Sequence, residues 1–366
     1  MTGREVRALH VLDVGRVVIA EEADHPVRDG GFRVETLYSG LSAGTELSYV
    51  KGTNPYLSAS WDHRLGLFRP GRAATGYPVT RVGYMEVGRV TETRTHAVTP
   101  GQLIAMAYGH RTAYTADRAE DRFVPMPAGL DPLLGIYVAH MGPICANGLL
   151  HAAADLCGTD VRSLGDGVRG RRVAVTGAGV VGLLTALFAR RHGAAEVVVA
   201  DRTPERLARA ERLGFTTIAT DGHDPAVELK TRWRHGADDR GADVVFQCRG
   251  RPESLHLALR MLRPRGTVVD LAFYQDGADS LRLGEEFHHN ALAIRCSQIG
   301  RVPRGLDHVW SRERLSAETL DLLRADGDAV RRHLVTDVLP FEDAPRFVAD
   351  LAARRRHTLQ AVFDMT

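Results

Sequence analysis

Residues 172–201 read RVAVTGAGVVGLLTALFARRHGAAEVVVAD, and this stretch decides the fold. Arg172 to Thr176 is a short apolar run that ends in the turn Gly177-Ala178-Gly179-Val180-Val181-Gly182. Val180 to Arg191 then carries a helical period that stops at Gly193, and Glu196 to Ala200 is a second apolar strand. A G-x-G-x-x-G motif alone is weak evidence. Here it sits between a strand and a helix, with an acid 19 residues beyond the third glycine, the arrangement of a dinucleotide site. Gly177 permits a tight turn, Gly179 lets backbone N–H groups approach a pyrophosphate, and Gly182 lets helix pack on strand. Val180 and Val181 complete the expected phosphate contact. Asp201 selects the cofactor, because a carboxylate there accepts hydrogen bonds from ribose hydroxyls and repels a 2′-phosphate. NAD is the expected cofactor. Arg202 and Arg206 could form a rival phosphate clamp, which keeps NADP as the alternative.

Working outward, Thr203 and Pro204 open another helix. Strands follow at Asp243 to Gln247 and Gly266 to Leu271, with a helix from Glu253 to Leu262 between them. Strands alternating with helices predict an α/β fold with a doubly wound parallel sheet. Residues 1–143 read mostly as β, with alternating runs at Arg16 to Glu21 and Phe32 to Tyr38. The stretch Lys51 to Arg81 breaks that pattern and carries Tyr56, Trp61, Phe68 and Tyr77, either as a binding lid or as a loop packed on itself. Beyond Arg301 the chain reads as irregular until a strand at Leu359 to Phe363.

The 366 residues allow two or three compact units. A hydrophobic fraction of 44% with 25% charged residues is globular composition, and a net charge of +2 argues against nucleic acid or an anionic membrane as partner. The longest uncharged apolar-leaning stretch, Ala174 to Ala189, is too short and glycine-rich to span a bilayer. The start has no apolar run of the signal-peptide kind, so a cytoplasmic location is expected. Cys145, Cys157, Cys248 and Cys296 are scattered without a C-x-x-C pair, which excludes a cysteine-rich zinc site and a disulfide framework.

The order of parts resembles the medium-chain dehydrogenase/reductase superfamily, whose alcohol dehydrogenases are its best-known members. ALHVLDVGRVVIAEE at the start, FRVETLYSGLSAGTEL in the first domain and the Rossmann stretch through RPRGTVVDL carry the resemblance. It implies a GroES-like catalytic domain built from residues 1–143 and 303–366 around a Rossmann domain at 144–302, assembled as a homodimer or homotetramer. Zinc-dependent members place a Cys ligand where Ser42-Ala43 stand here, a His-Glu pair where Tyr84-Met85 stand, and a further Cys near Met141. Neither Ser nor Tyr is a normal zinc ligand, so no catalytic metal is expected. The segments SGLSAGTE and GYMEVGRV look most like a zinc-lacking branch that includes the bacteriochlorophyllide hydroxyethyl dehydrogenases. That suggests interconversion of a secondary hydroxyl and a ketone.

Without zinc the site needs another way to stabilise an alkoxide. Thr45 matches the relay hydroxyl of the superfamily, although a Thr can equally cap a turn. Lys51 can shed its proton when desolvated, or be a solvated loop lysine. His110 titrates in the right range, or is a structural histidine. Glu46, Tyr56, Trp61, His140 and His289, the last beside His288, are the expected substrate contacts. Cys248, Leu271 and Gln298 are the further cofactor contacts. The sequence therefore reads as a zinc-independent, NAD-dependent oxidoreductase of a polar or polyhydroxylated small molecule. An NADPH-dependent enoyl or quinone reductase and a catalytically inactive nucleotide-binding protein are the competing readings.

Overall fold

The computed structural model describes residues 5–275 and 277–366; residues 1–4 of the expected first domain lie outside the described residues. The chain divides into two compact units. One comprises the residues up to His140 together with Val335–Thr366, and the other comprises Met141–Leu334.

The second unit is built on six parallel strands. Their order across the sheet is Thr216–Ala219, Glu196–Asp201, Arg172–Thr176, Ala242–Gln247, Leu262–Asp270 and Ala293–Cys296. The strands are valine-rich because both faces are covered. Val173, Val175, Val198, Val199, Val245, Phe246, Val268 and Val269 are fully buried. Leu229, Trp233, Leu255, Leu259 and Met261 belong to the core on one side. Strand order reverses between Arg172–Thr176 and Ala242–Gln247, and an open parallel sheet binds its ligand at such a switch point. The α/β reading is thus the observed fold. The short strands Thr216–Ala219 and Ala293–Cys296 escaped it, since four residues carry too little periodicity.

The first unit is β-rich. Strands Val335–Pro340, Gln360–Asp364, Gly31–Gly40, Glu86–Thr93, Leu103–Met106 and Val124–Pro125 lie side by side in that order, and Ala113–Asp117 also pairs with Gly31–Gly40. The C-terminal strand Gln360–Asp364 lies antiparallel to Gly31–Gly40, so both chain ends build this sheet. Leu9, Val11, Leu41, Phe341, Phe347 and Phe363 form one of its cores. Phe32, Val34, Ile104, Met106 and Tyr108 belong to another.

Two boundaries move from their expected places. The helix Met141–Cys157 starts the second unit at 141 instead of 144, and the chain returns to the first unit at 335 instead of 303. Beyond Arg301 the chain is not irregular: a helix spans Arg312–His333 and packs on Met141–Cys157 within the second unit. Ser311 caps it through the Arg314 N–H. Its buried stripe mixes Leu315, Leu322, Leu323 and Val330 with Ser316, Thr319 and Gly327, and these small or polar members thin the apolar period. A second helix, Ala344–Ala352, separates the two C-terminal strands.

Of the two readings of Lys51 to Arg81, a self-packed cluster is what forms. Asn54 caps the turn Pro55–Leu57, and Ala59–Asp62 pairs with Leu67–Pro70 as a hairpin. The Phe68 ring sits 5.1 Å from Trp61 and 5.5 Å from Tyr56. Among the described residues no helix is long and apolar enough to cross a membrane.

The close approach of Met141–Cys157 to Arg312–His333 depends on Gly142, where a Cβ would collide with the Thr319 side chain. Gly142→Val should therefore lower unfolding free energy by about 1–3 kcal/mol through overpacking, read as an earlier urea midpoint. An unchanged midpoint would show that the two helices yield freely at this contact.

Candidate active site

In the second unit, the turn after Arg172–Thr176 forms a cradle. Gly177 takes φ +107°, a conformation that favours glycine, and its N–H donates to Ala200 O at 2.8 Å. A Cβ on Gly182 would run into the Gly177 carbonyl, so helix and turn can only meet at glycine. Over Gly179 there is open space. Gly179 caps the helix Val180–Arg191 with extended backbone, and Val180 and Val181 stand half-exposed at its first turn. Unsatisfied N–H groups at such a helix start attract a phosphate.

Asp201 ends the neighbouring strand and is 2% exposed. Its carboxylate accepts the Ala178 N–H and the Thr203 N–H, each at 2.8 Å, which ties the glycine turn to the next loop. An ionised carboxylate has about four acceptor positions, so capacity remains for ribose hydroxyls. Arg249, which sequence reasoning missed, lies beside this acid. Burial and then the charge of Arg202 hold its guanidinium below its ordinary pKa, with Arg206 and Arg251 adding to the repulsion and Asp201 opposing it. Its signal in the sequence is its place two residues beyond the strand Ala242–Gln247.

Under the cradle runs a buried polar chain. Thr176 Oγ1 donates to Gln247 Oε1 (2.8 Å), Gln247 Nε2 to Tyr274 Oη (2.9 Å), and Tyr274 Oη to Asp270 Oδ2 (2.9 Å). Cys248 gives its N–H to Thr176 O, and burial pushes its thiol well above the usual range. The Leu271 N–H is bound to Gln247 O, while its side chain packs on Gly148. Gln298 is exposed and accepts the Gly300 N–H at 2.6 Å. Its loop hangs from Asn147, whose Nδ2 reaches the carbonyls of Ser297, Gln298 and Arg301 at 3.2–3.4 Å. An asparagine inside the apolar run of Met141–Cys157 was the available signal. His288 and His289 are exposed, with His289 Nδ1 3.1 Å from Glu285 O.

In the first unit, three hydroxyls converge. Ser42 Oγ and Tyr84 Oη share a very short hydrogen bond, and Tyr84 Oη lies 3.5 Å from Thr45 Oγ1. The His140 ring packs 4.5 Å from that of Tyr84. Burial, then the charge of Glu46, pushes the Tyr84 phenol up to about 12, so it stays protonated and able to donate.

Behind the hydroxyls lies a buried ionic chain. Glu46 accepts the Ser42 N–H at 2.8 Å through one oxygen and meets His110 Nε2 at 2.6 Å through the other. His110 Nδ1 is 2.6 Å from Ser39 Oγ, which donates to Glu86 Oε1 at 3.0 Å. Glu86 Oε2 accepts the Tyr108 N–H at 2.8 Å. Since Ser39 donates onward, both His110 nitrogens face acceptors, the pattern of an imidazolium. Burial alone would lower the His110 pKa, but Glu46 and then Glu86 outweigh it and hold it above its ordinary value. Burial pushes the Glu86 carboxyl up, against the pull of His110.

This geometry redistributes the expected roles. The His110 side chain has no exposure and both ring nitrogens are engaged, so the structure places it in the framework and not where a substrate proton could reach it. Glu46 is equally buried and serves the Ser42 turn and His110. Lys51 caps the C-terminal end of the helix Ala43–Val50 and is exposed. Tyr56 and Trp61 belong to the hairpin cluster. Only Thr45 and His140 fall in with the hydroxyls. Tyr84, noted in the sequence as a lost ligand and not as a functional group, is their centre.

A catalytic zinc, as the family resemblance implies, does not fit these residues. Tyr84 is bonded to Ser42 and Thr45, and zinc takes thiolate, imidazole or carboxylate. Glu46 and His110, the nearby acid and imidazole, are committed to each other.

Residues 180–312 match the family model described as zinc-binding dehydrogenase. Over 336 residues the chain is 25% identical to the D-guloside 3-dehydrogenase of Escherichia coli (strain K12), covering 89% of this chain and 90% of that protein. It is 30% identical over 185 residues to the D-xylulose reductase A of Aspergillus oryzae, covering 50% of this chain and 48% of that one. Among solved structures, the galactitol-1-phosphate dehydrogenase of Escherichia coli superposes with a TM-score of 0.75 at 17% identity, over 98% of this chain and 99% of that one. A Sinorhizobium meliloti 1021 dehydrogenase bound to NADP superposes with a TM-score of 0.73 at 19% identity, over 99% of both chains. Fold, nucleotide cradle and these matches together make the chain an NAD(P)-dependent oxidoreductase with the fold of alcohol dehydrogenase-like enzymes, in which residues 180–312 carry the zinc-binding dehydrogenase match.

Proposed function

We propose that the protein reduces a ketone on a polyhydroxylated substrate, such as a sugar, glycoside or polyol derivative, to a secondary alcohol with NADH and without a catalytic zinc. The observation that carries this reading is the Tyr84 phenol set between the Ser42 and Thr45 hydroxyls, with Ser42 and Tyr84 standing where the resemblance locates metal ligands and Thr45 where it locates a relay hydroxyl. The substrate class is supported by the relatives named for guloside and xylulose chemistry.

NADH, when bound, supplies the hydride. The Gly177–Gly182 turn and the first turn of Val180–Arg191 hold its phosphates, and Asp201 its ribose. Tyr84 and Thr45 donate hydrogen bonds to the carbonyl oxygen and stabilise the charge that develops on it. Tyr84 then gives its proton to the alkoxide, which is the stronger base. Ser42 fixes the phenol oxygen, and the Glu46–His110 pair fixes the Ser42 turn. A phenol with a pKa of about 12 stays protonated at neutral pH, which is the form that ketone reduction requires.

Removing the phenol hydroxyl is the direct check on this assignment. Tyr84→Phe should cut ketone turnover about 10²-fold or more while NADH binding is kept. Thr45→Val should fall by a smaller factor, and a chelator should leave the parent enzyme active. Near-parental turnover in Tyr84→Phe, or chelator inactivation restored by zinc, would refute the reading.

Cofactor choice has a separate test, because the arginines around Asp201 supply the opposite preference. The buried acid should dominate, so NADH should bind more tightly than NADPH. Asp201→Asn keeps the side-chain shape but removes the charge and one of the two oxygens that accept the Ala178 and Thr203 N–H groups, and should narrow the gap. Ribose hydrogen bonds worth about 0.5–1.5 kcal/mol each imply roughly 5- to 150-fold weaker NADH binding when two are lost. Tighter binding of NADPH by the unmutated protein would show that Arg202, Arg206 and Arg249 prevail.

A further inference from the structure

We infer that the second unit carries a divalent metal site formed by His256, Glu285 and Glu286, unrelated to the hydroxyl trio and independent of the proposed reaction. His256 lies on the helix Pro252–Met261, and the two glutamates lie in the single-turn segment Leu283–Phe287. One ligating atom from each of the three lies within 4.8 Å of the others.

The backbone explains how neighbouring glutamates come to face one histidine. Consecutive residues of a regular helix point about 100° apart and do not share a face. At Glu285 the segment leaves helical geometry, with φ −95° and ψ −122°, and the two carboxylates converge.

A second observation points to a ligand. His256 Nδ1 and Glu286 Oε2 are buried atoms with no hydrogen-bond partner in the structure, and such groups are costly to leave unpaired. The other Glu286 oxygen is already fixed: Arg260 Nε donates to Oε1 at 3.2 Å while the same guanidinium holds Asp224 at 2.6 Å. A held carboxylate with one unpaired oxygen is how supporting residues orient a metal ligand. Glu285 has its side chain about half exposed, with Arg282 3.2 Å away, so it can swing inward. Ligand atoms about 2.0–2.2 Å from a tetrahedral ion fall within the 4.8 Å that bounds these separations.

One imidazole nitrogen with two carboxylate oxygens suits a borderline first-row cation, zinc or cobalt(II), more than magnesium or calcium. Arg260 and Arg282 already offset the two negative charges, so affinity should be moderate, in the micromolar range. The ion would clip Leu283–Phe287 to Pro252–Met261, with water completing its coordination.

The test is titration of the chelator-treated full-length protein with zinc against a chromophoric competitor, and with cobalt(II) by visible absorption. One ion should bind per chain. His256→Ala and Glu285→Gln should each weaken binding at least about tenfold, with NADH binding retained as the sign of an intact unit. Tyr84→Phe and His140→Ala should leave metal affinity unchanged, which separates this site from the first unit. Absence of binding at micromolar metal, or equal affinity in the His256 and Glu285 variants, would overturn the assignment.

Discussion

The ion pair between His110 and Glu46 is the constraint on which the first unit's chemistry rests. Neither side chain meets solvent appreciably, so both charges have lost their hydration, and only close geometry with further hydrogen bonds offsets that cost. Each remaining polar atom is accordingly used. Ser39 links the imidazolium to Glu86, Glu86 takes the Tyr108 N–H, and Glu46 takes the Ser42 N–H. Breaking one link would leave a buried charge uncompensated. The helix start that presents Ser42 and Thr45 is thereby fixed against the strand Glu86–Thr93, which Tyr84 precedes.

The nucleotide cradle follows the same logic with a single charge. Asp201 is buried, and two backbone N–H groups, one from the glycine turn and one from the loop leading to Pro204–Arg212, hold its carboxylate. The acid proposed to choose the ribose is therefore also the brace of the turn. The arginines nearby keep this corner electropositive, so cofactor preference is a contest between one oriented carboxylate and several cations.

Much of the second unit was legible because its signals are local. Strand, glycine turn, helix and acid lie within residues 172–201, and Gly177 and Gly182 each have a steric reason. The helix Arg312–His333 was not legible, because its contact face depends on Thr319 fitting against Gly142, a long-range match that thins the apolar period. The first unit shows the same divide. Ser42 and Tyr84 could be noted by position, and Thr45 with them. The role of Tyr84 could not, since only folding brings it to Ser42, 42 residues away. His110 looked catalytic for its titration range. Its partners Glu46 and Ser39 lie 64 and 71 residues off and turn it into part of the framework.

The central claim is that a protonated phenol, and not a metal-bound water or a histidine, supplies the proton. The pH dependence of the hydride-transfer step, followed by single-turnover consumption of NADH with an accepted ketone, tests it most directly. A donor with a pKa of about 12 remains protonated across the neutral range, so the rate should be flat from about pH 6 to 9. A break near 7, where a zinc-bound water or an unperturbed imidazole titrates, would contradict the account.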